Sequence, residues 1–272
     1  MPSPPRGLEK SIEFIRSNIH IQPRLALVLG SGLGDLAETF TGSTILDTRT
    51  IPHYPISTIE GHKGKLVFAT YASLPLVAFQ GRLHFYESND LEAVLYPVRI
   101  AKALGVETLI VTNAAGGINP DYQPGDLMLL ADQINLTGEE VFEKSDQRKV
   151  GNSIYDKSLI ELIQTISRNK SIPLWVGIYG GVKGPSYETA AEVQMVGKLG
   201  GDAVGMSTVL ETSLASALGM RVAGVSCITN KATGISPHKL SHDEVTVAAN
   251  RAKKDFARLI LGIIEELARE EA

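Results

Sequence analysis

Residues 25–36 read LALVLGSGLGDL. Five apolar residues, Leu25 to Leu29, run straight into a glycine-rich turn. The apolar run reads as a buried strand, and the turn as a place where backbone N–H groups can approach an anion. Two well-known phosphate loops can be tested against it. A dinucleotide site needs G-x-G-x-x-G with an acid about 20 residues further on. Gly30 and Gly32 fit, but Asp35 stands at the third glycine position and no suitable acid follows. A nucleoside triphosphate loop needs G-x-x-x-x-G-K-[ST], and no segment supplies it. Two readings remain: a tight turn whose glycines serve backbone freedom alone, or a site for one small anion, with Ser31 adding a hydroxyl to the N–H groups.

Outward from this turn, short β-branched runs alternate with helical patterns. Strands are expected at 25–29, 65–69, 76–80, 108–112, 127–132, 175–180 and 222–229. Helices are expected at about 7–17, 91–104, 154–169, 187–199, 209–219 and 242–269. In the last of these, Phe256, Leu259, Ile260, Ile263, Ile264 and Leu267 form one apolar stripe at helical spacing. Ser241 and Glu244 in SHDE are spaced as a capping box that opens it. Such alternation predicts an α/β fold with a largely buried central sheet. No repeat or linker is visible, so residues 1–272 read as a single domain, and 138–153 reads as a mobile loop.

The 272 residues are 43% hydrophobic and 21% charged, with a formal net charge of -4. That balance gives no basic excess to follow a nucleic-acid backbone. No apolar run approaches the roughly 18 residues that cross a bilayer, and the N-terminus has no signal-peptide core. The single cysteine, Cys227, cannot form an internal disulfide and lies in the apolar run VAGVSCIT, as a small buried hydrophobe would. A cytoplasmic protein with no membrane or nucleic-acid partner is expected. No Cys/His spacing suggests zinc.

Several stretches carry chemistry. If FQGRLHFYES (79–88) stays extended, Arg82, His84 and Tyr86 share one face. Arg offers a fork for phosphate or carboxylate, His a further donor and Tyr a surface for a sugar or base. The alternative is a solvated edge strand in which Glu87 pairs with Arg82. GHKGK (61–65) sets His62 between glycines. In TNAAGGIN (112–119) a strand ends at Asn113, and Ala114 to Gly117 let a ligand approach the backbone beyond a strand's carboxyl end. GGVKGPSYETAAE (180–192) puts Tyr187 and Glu188 at a helix start, where the helix dipole alone would favour an acid. In GMSTVLET (205–212), Thr208 and Glu211 form a capping box and Ser207 stands at a positive helix end. ITNKATGISPHKLSH (228–242) carries Asn230 and ends at His242, which a helix N-terminus would keep neutral.

In their order, GSGLG, IPHYP, GHKGK, GRLHFYE, TNAAGG, GPSYET, GMSTVLE, TNKATG and SHDEV resemble the trimeric-type purine nucleoside phosphorylases and their methylthioadenosine phosphorylase relatives, from Gly30 to about Val245. The resemblance implies a mixed, partly barrel-like sheet flanked by helices. It implies a reaction in which a purine nucleoside and inorganic phosphate give free base and (deoxy)ribose 1-phosphate. Phosphate is a co-substrate, no metal or organic cofactor is needed, and the assembly is a homotrimer. It assigns phosphate to Ser31, His62, Arg82, His84, the Ala114 N–H and Ser207. Tyr86 and Met206 would pack on the ribose and His242 would bond its 5′-hydroxyl. Tyr187 would stack on the base, Glu188 would bond its N1 side, and Asn230 would bond N7 and the 6-substituent. Catalytic roles fall to Asn230, His84, Glu188 and His242. Relatives acting on adenosine-type nucleosides often carry Asp where this chain has Asn230, so inosine and guanosine are the expected substrates.

The resemblance lapses in 138–153. Relatives insert an aromatic residue from a neighbouring subunit over the ribose there. Here IYD (154–156) is present, but no Phe stands at the expected place upstream, leaving Phe142 or Val150 as substitutes through a shifted loop. Two readings from other classes compete with an enzyme of this kind. A nucleoside sensor would be expected to lack a phosphate ligand or the base-contacting Asn. A nicotinamide oxidoreductase rests on GSGLG alone.

Overall fold

The computed structural model describes residues 7–30, 32–59, 63–141, 153–235 and 242–270, the side chains of 242–251 excepted. Among the described residues, nine strands make one sheet. β1 (Leu25–Leu29), β2 (Thr44–Asp47), β3 (Lys65–Tyr71), β4 (Leu74–Gln80), β5 (Thr108–Gly117), β6 (Leu127–Asn135), β7 (Trp175–Gly181), β8 (Ala203–Gly205) and β9 (Arg221–Lys231) run in the spatial order β2-β3-β4-β1-β5-β8-β7-β6-β9. Because β9 also pairs with β5, the strands β5, β8, β7, β6 and β9 close into a five-stranded barrel. The expected mixed and partly barrel-like sheet is present.

β1 is buried at all five positions and lies between parallel neighbours β4 and β5. A strand covered on both faces reads as a continuous apolar run, as LALVL does. α1 (Leu8–Asn18), α3 (Leu91–Ala103) and α6 (Val209–Ala217) pack with one large core cluster. α4 (Lys157–Asn169) and α7 (His242–Glu270) pack with a second. The stripe from Phe256 to Leu267 on α7 is buried throughout. Each such side chain contributes roughly 1.5–3 kcal/mol of transfer free energy. Cys227 is free and buried, and burial pushes its thiol up to about 11.

Three expectations fail locally. The stretch 79–88 is not one strand. β4 stops at Gln80, and Phe85–Ser88 form a short helix, α2, so Tyr86 is helical and does not alternate with Arg82 and His84. β5 does not end at Asn113 but continues to Gly117. Pairing with β9 and β8 on either side overrides the weak strand propensity of AAGG, at the cost of an irregularity between Ala115 and Gly116. Tyr187 and Glu188 precede α5 (Ala190–Lys198), whose cap is Thr189 with Glu192 completing the box. The expected cap Ser241 and most of the loop 138–153, with Phe142 and Val150, lie outside the described residues.

Candidate active site

The strand ends and the loops after β4, β7, β8 and β9 converge on a cavity of about 260 Å³. Its wall brings together nine of the residues singled out in the sequence. Arg82, His84, Ala114 and Ser207 come from the expected phosphate set, and Tyr86, Tyr187, Glu188, Met206 and Asn230 from the expected nucleoside set. Ser31 and His62 lie outside the described residues, as does the side chain of His242, which opens α7.

The glycine turn is explained by its surroundings. A Cβ on Gly30 would lie 2.6 Å from the Thr112 carbonyl oxygen, and Gly32 has φ +77, so neither position accepts another residue without strain. The chain then enters a 3-10 turn, Gly34–Thr39, and no α-helix follows to cradle a pyrophosphate. Gly32 and Leu33 border a second cavity, of about 160 Å³, against Lys253 and Phe256 of α7.

At one end of the main cavity the polar groups are buried and bonded to each other. The Arg82 side chain is 3% exposed. Its Nη1 donates to Ser207 Oγ at 2.9 Å and lies 3.4 Å from Thr208 Oγ1. Asn113 Nδ2 donates to the same Thr208 oxygen at 2.8 Å. The alternative reading, in which Glu87 pairs with Arg82 on a solvated edge strand, does not hold. Arg82 Nε lies 3.5 Å from Glu211 on α6, and Glu87 turns to His84. Thr208 has φ 74 and ψ -57, and Val209 N–H donates to Ser207 O at 2.8 Å. This is a γ-turn of the strained kind, adopted by a β-branched residue, as is typical where a functional group must be aimed.

His84 caps α2. Its N–H donates to Glu87 Oε1 at 2.7 Å, and its Nδ1 stands 3.2 Å from that oxygen. With Nδ1 turned to Glu87, the neutral ring offers Nε2 as an acceptor for a phosphate hydroxyl, and the protonated ring offers it as a donor to a phosphate oxygen. Burial works against the Glu87 carboxylate. Hydrogen bonds from the His84 and Thr58 N–H groups, the Ser57 hydroxyl and the His84 ring together outweigh it and hold its pKa below the ordinary value. The His84 and Tyr86 rings stack, with centroids 5.0 Å apart and planes 13° from parallel. A Cβ on Gly184 would fall 2.6 Å from Met206 Sδ and 2.9 Å from Tyr86 Cδ1, so the GPSYE loop presses on both side chains. Gly184–Pro185 is cis.

The other end is looser. Tyr187 is 82% exposed. Glu188 Oε1 is a buried acceptor with no hydrogen-bond donor among the described residues. Thr229 Oγ1 donates to Asn230 Oδ1 at 2.8 Å, and Asn230 Nδ2 donates to Lys231 O at 3.0 Å. These contacts settle which way the amide faces and leave it one further donor and one further acceptor site. Sequence reasoning missed Asn113 as a partner of Thr208, since it read that residue only as a strand end. It read Glu211 only as a cap. Their burial, which period and composition do not show, marks them. Among the described residues no group of three or more His, Cys, Asp or Glu is placed to hold a metal ion, and no helix is long and apolar enough to cross a membrane.

Comparison with known proteins agrees with this geometry. The family model described as the phosphorylase superfamily matches residues 24–265. The chain is 45% identical to purine nucleoside phosphorylase 1 of Bacillus subtilis (strain 168), over 95% of this chain and 98% of that protein. It is 37% identical to the purine nucleoside phosphorylase of Bos taurus, over 93% and 92%. The crystal structure of a schistosoma purine nucleoside phosphorylase with hypoxanthine superposes with a TM-score of 0.86 at 31% identity, covering 97% of this chain and 98% of that one. The Schistosoma mansoni purine nucleoside phosphorylase with adenosine gives 0.85 at 32%, with the same coverage. The chain therefore belongs to the purine nucleoside phosphorylases of the phosphorylase superfamily.

Proposed function

We propose that this protein catalyses the reversible phosphorolysis of purine nucleosides, giving free purine and ribose or deoxyribose 1-phosphate. The observation that carries the reading is one cavity holding two kinds of polar group: the buried Arg82 guanidinium bonded to Ser207, suited to an anion, and the Glu188 oxygen without a donor among the described residues beside the oriented Asn230 amide, suited to a purine edge. Breaking an N-glycosidic bond builds positive charge on the sugar and negative charge on the base. Phosphate is itself the nucleophile, so no covalent enzyme intermediate and no second catalytic carboxylate are required, unlike in retaining glycosidases.

Arg82, Ser207, His84 and the Ala114 N–H hold phosphate and orient it under C1′, with Ser31 and His62 assigned to the same anion. Tyr86 and Met206 pack on the ribose, and His242 bonds its 5′-hydroxyl. Tyr187 stacks on the purine, and Glu188 accepts from N1–H. Asn230 donates its remaining N–H toward N7 and the 6-oxo oxygen as negative charge grows on the base. An amide and a carboxylate acceptor together suit a 6-oxopurine, so inosine, guanosine and their deoxy forms are the proposed substrates. No metal or organic cofactor enters this scheme. A homotrimer in the cytoplasm, serving purine salvage, is the proposed setting, and light scattering in solution tests the assembly.

The deciding experiment incubates the protein with inosine, with and without phosphate. The reading requires hypoxanthine release that depends on phosphate. Release without phosphate would make the protein a hydrolase, and tight binding without release a sensor.

A further inference from the structure

Glu211 is a carboxylate the scheme above does not use. It stands in the first turn of α6 with its side chain 3% exposed. An ordinary N-terminal cap acid is wetted by solvent, and a buried one is costly unless it is paired. One oxygen does the pairing here. Glu211 Oε2 accepts from Thr208 N–H at 3.1 Å and lies 3.5 Å from Arg82 Nε.

Those two partners are the two supports of the phosphate end. Thr208 carries the strained turn that presents Ser207, with φ 74. Arg82 points Nη1 at Ser207 Oγ, 2.9 Å away. The contact at Nε is an ion pair and not a hydrogen bond, so the carboxylate draws the guanidinium toward α6 by charge while Nη1 keeps its bond to Ser207. The same oxygen restrains the turn through Thr208 N–H. Burial raises the Glu211 pKa, and the Arg82 charge and the Thr208 N–H work the other way, favouring the ionised form that balances Arg82.

We propose that Glu211 is a positioning residue for phosphate, a buried carboxylate that fixes the Arg82 guanidinium and the Ser207 turn through a single oxygen. The proposal rests on the phosphorolysis reading and adds a residue to it. Glu211 does not touch the substrate. It acts through Arg82 and Thr208, so its removal misplaces both ligands of one anion while leaving the purine side intact.

The test compares wild type, Glu211→Gln, Glu211→Asp and Arg82→Ala. It measures KM for phosphate, KM for inosine, the affinity of the free protein for inorganic phosphate and the melting temperature. Glu211→Gln keeps the volume and a carbonyl oxygen that can face both donors, but it removes the charge that holds the guanidinium. It should raise the KM and Kd for phosphate by about tenfold, as weakening a charge-assisted contact to a neutral one does, with the KM for inosine within about twofold. Glu211→Asp keeps the charge on a shorter arm and should raise the phosphate KM by less. Should Glu211→Gln fail to fold, Glu211→Asp decides alone. Equal changes in both KM values, a lowered melting temperature with both KM values unchanged, or an unchanged phosphate KM in Glu211→Asp would overturn the proposal. Arg82→Ala separates the two readings. If it too leaves phosphate affinity unchanged, the phosphate site itself is misassigned; if only Glu211→Gln is silent, the site stands and Glu211 has no part in it.

Discussion

The two ends of the cavity are built differently. At the end proposed for the anion, Arg82, Asn113, Ser207, Thr208 and Glu211 form one bonded group, and all but Ser207 are buried. At the end proposed for the base, Tyr187 is mostly exposed and Glu188 Oε1 has no donor among the described residues. Asn230 is restrained there by Thr229 and the Lys231 carbonyl. The contrast follows from the chemistry. A small anion that must attack one carbon needs donors fixed in advance, and orienting them at folding spares that cost at reaction. A planar base can be captured by side chains that order as it arrives, and such ordering takes free energy from binding.

Substitutions at the two ends should therefore differ in size and kind. The largest effect belongs to Arg82→Ala, which removes the buried cation. It should lower kcat/KM for phosphate by about 100-fold or more, the scale of losing one preorganised charge-stabilising donor, and should raise the phosphate KM far more than the inosine KM. Equal effects on the two would make Arg82 structural. Next is Asn230→Asp at the base end. It should move the inosine-to-adenosine ratio of kcat/KM toward adenosine by roughly 10- to 100-fold, since a carboxylate opposes the 6-oxo group and accepts from a 6-amino group. An unchanged ratio would remove Asn230 from specificity. Smaller still, Tyr187→Ala should cost about fivefold to tenfold in nucleoside KM, the low end of base stacking, with the phosphate KM unmoved.

The smallest effect probes the support under His84. Hydrogen bonds hold the Glu87 pKa below its ordinary value of 4.5. A depressed carboxyl pKa contributes stability above 4.5 that is lost as pH falls toward the folded value. Melting curves of wild type and Glu87→Gln should differ most at neutral pH and draw together below pH 4.5. A gap that widened in acid would contradict the hydrogen-bond assignment.

The sequence was clearest where burial follows a period. LALVL and the α7 stripe read correctly because each covers a face continuously, one on both sides and one at helical spacing. β8 was invisible, since three residues carry no period and pair only because β5 and β7 flank them. The β3–β4 hairpin gave no turn signal, because Ala72 and Ser73 take left-handed φ values of 49 and 73 without a glycine between them. At the site, residue types and order were legible, and nine side chains expected there do line one cavity. Geometry was not. Extending the strand through Tyr86 put three polar residues on one face by alternation, whereas they meet through a break at Gly81 and the short helix α2. The Glu211 and Asn113 contacts are long-range, 129 and 95 residues from their partners by sequence number, beyond any local pattern.

The preformed anion end is best tested by titrating inorganic phosphate into the free protein by calorimetry, with no nucleoside present. One phosphate should bind per chain, and Arg82→Ala should abolish the signal. Phosphate that binds only after a nucleoside has been added would mean that the anion end is assembled by the substrate and not by the fold.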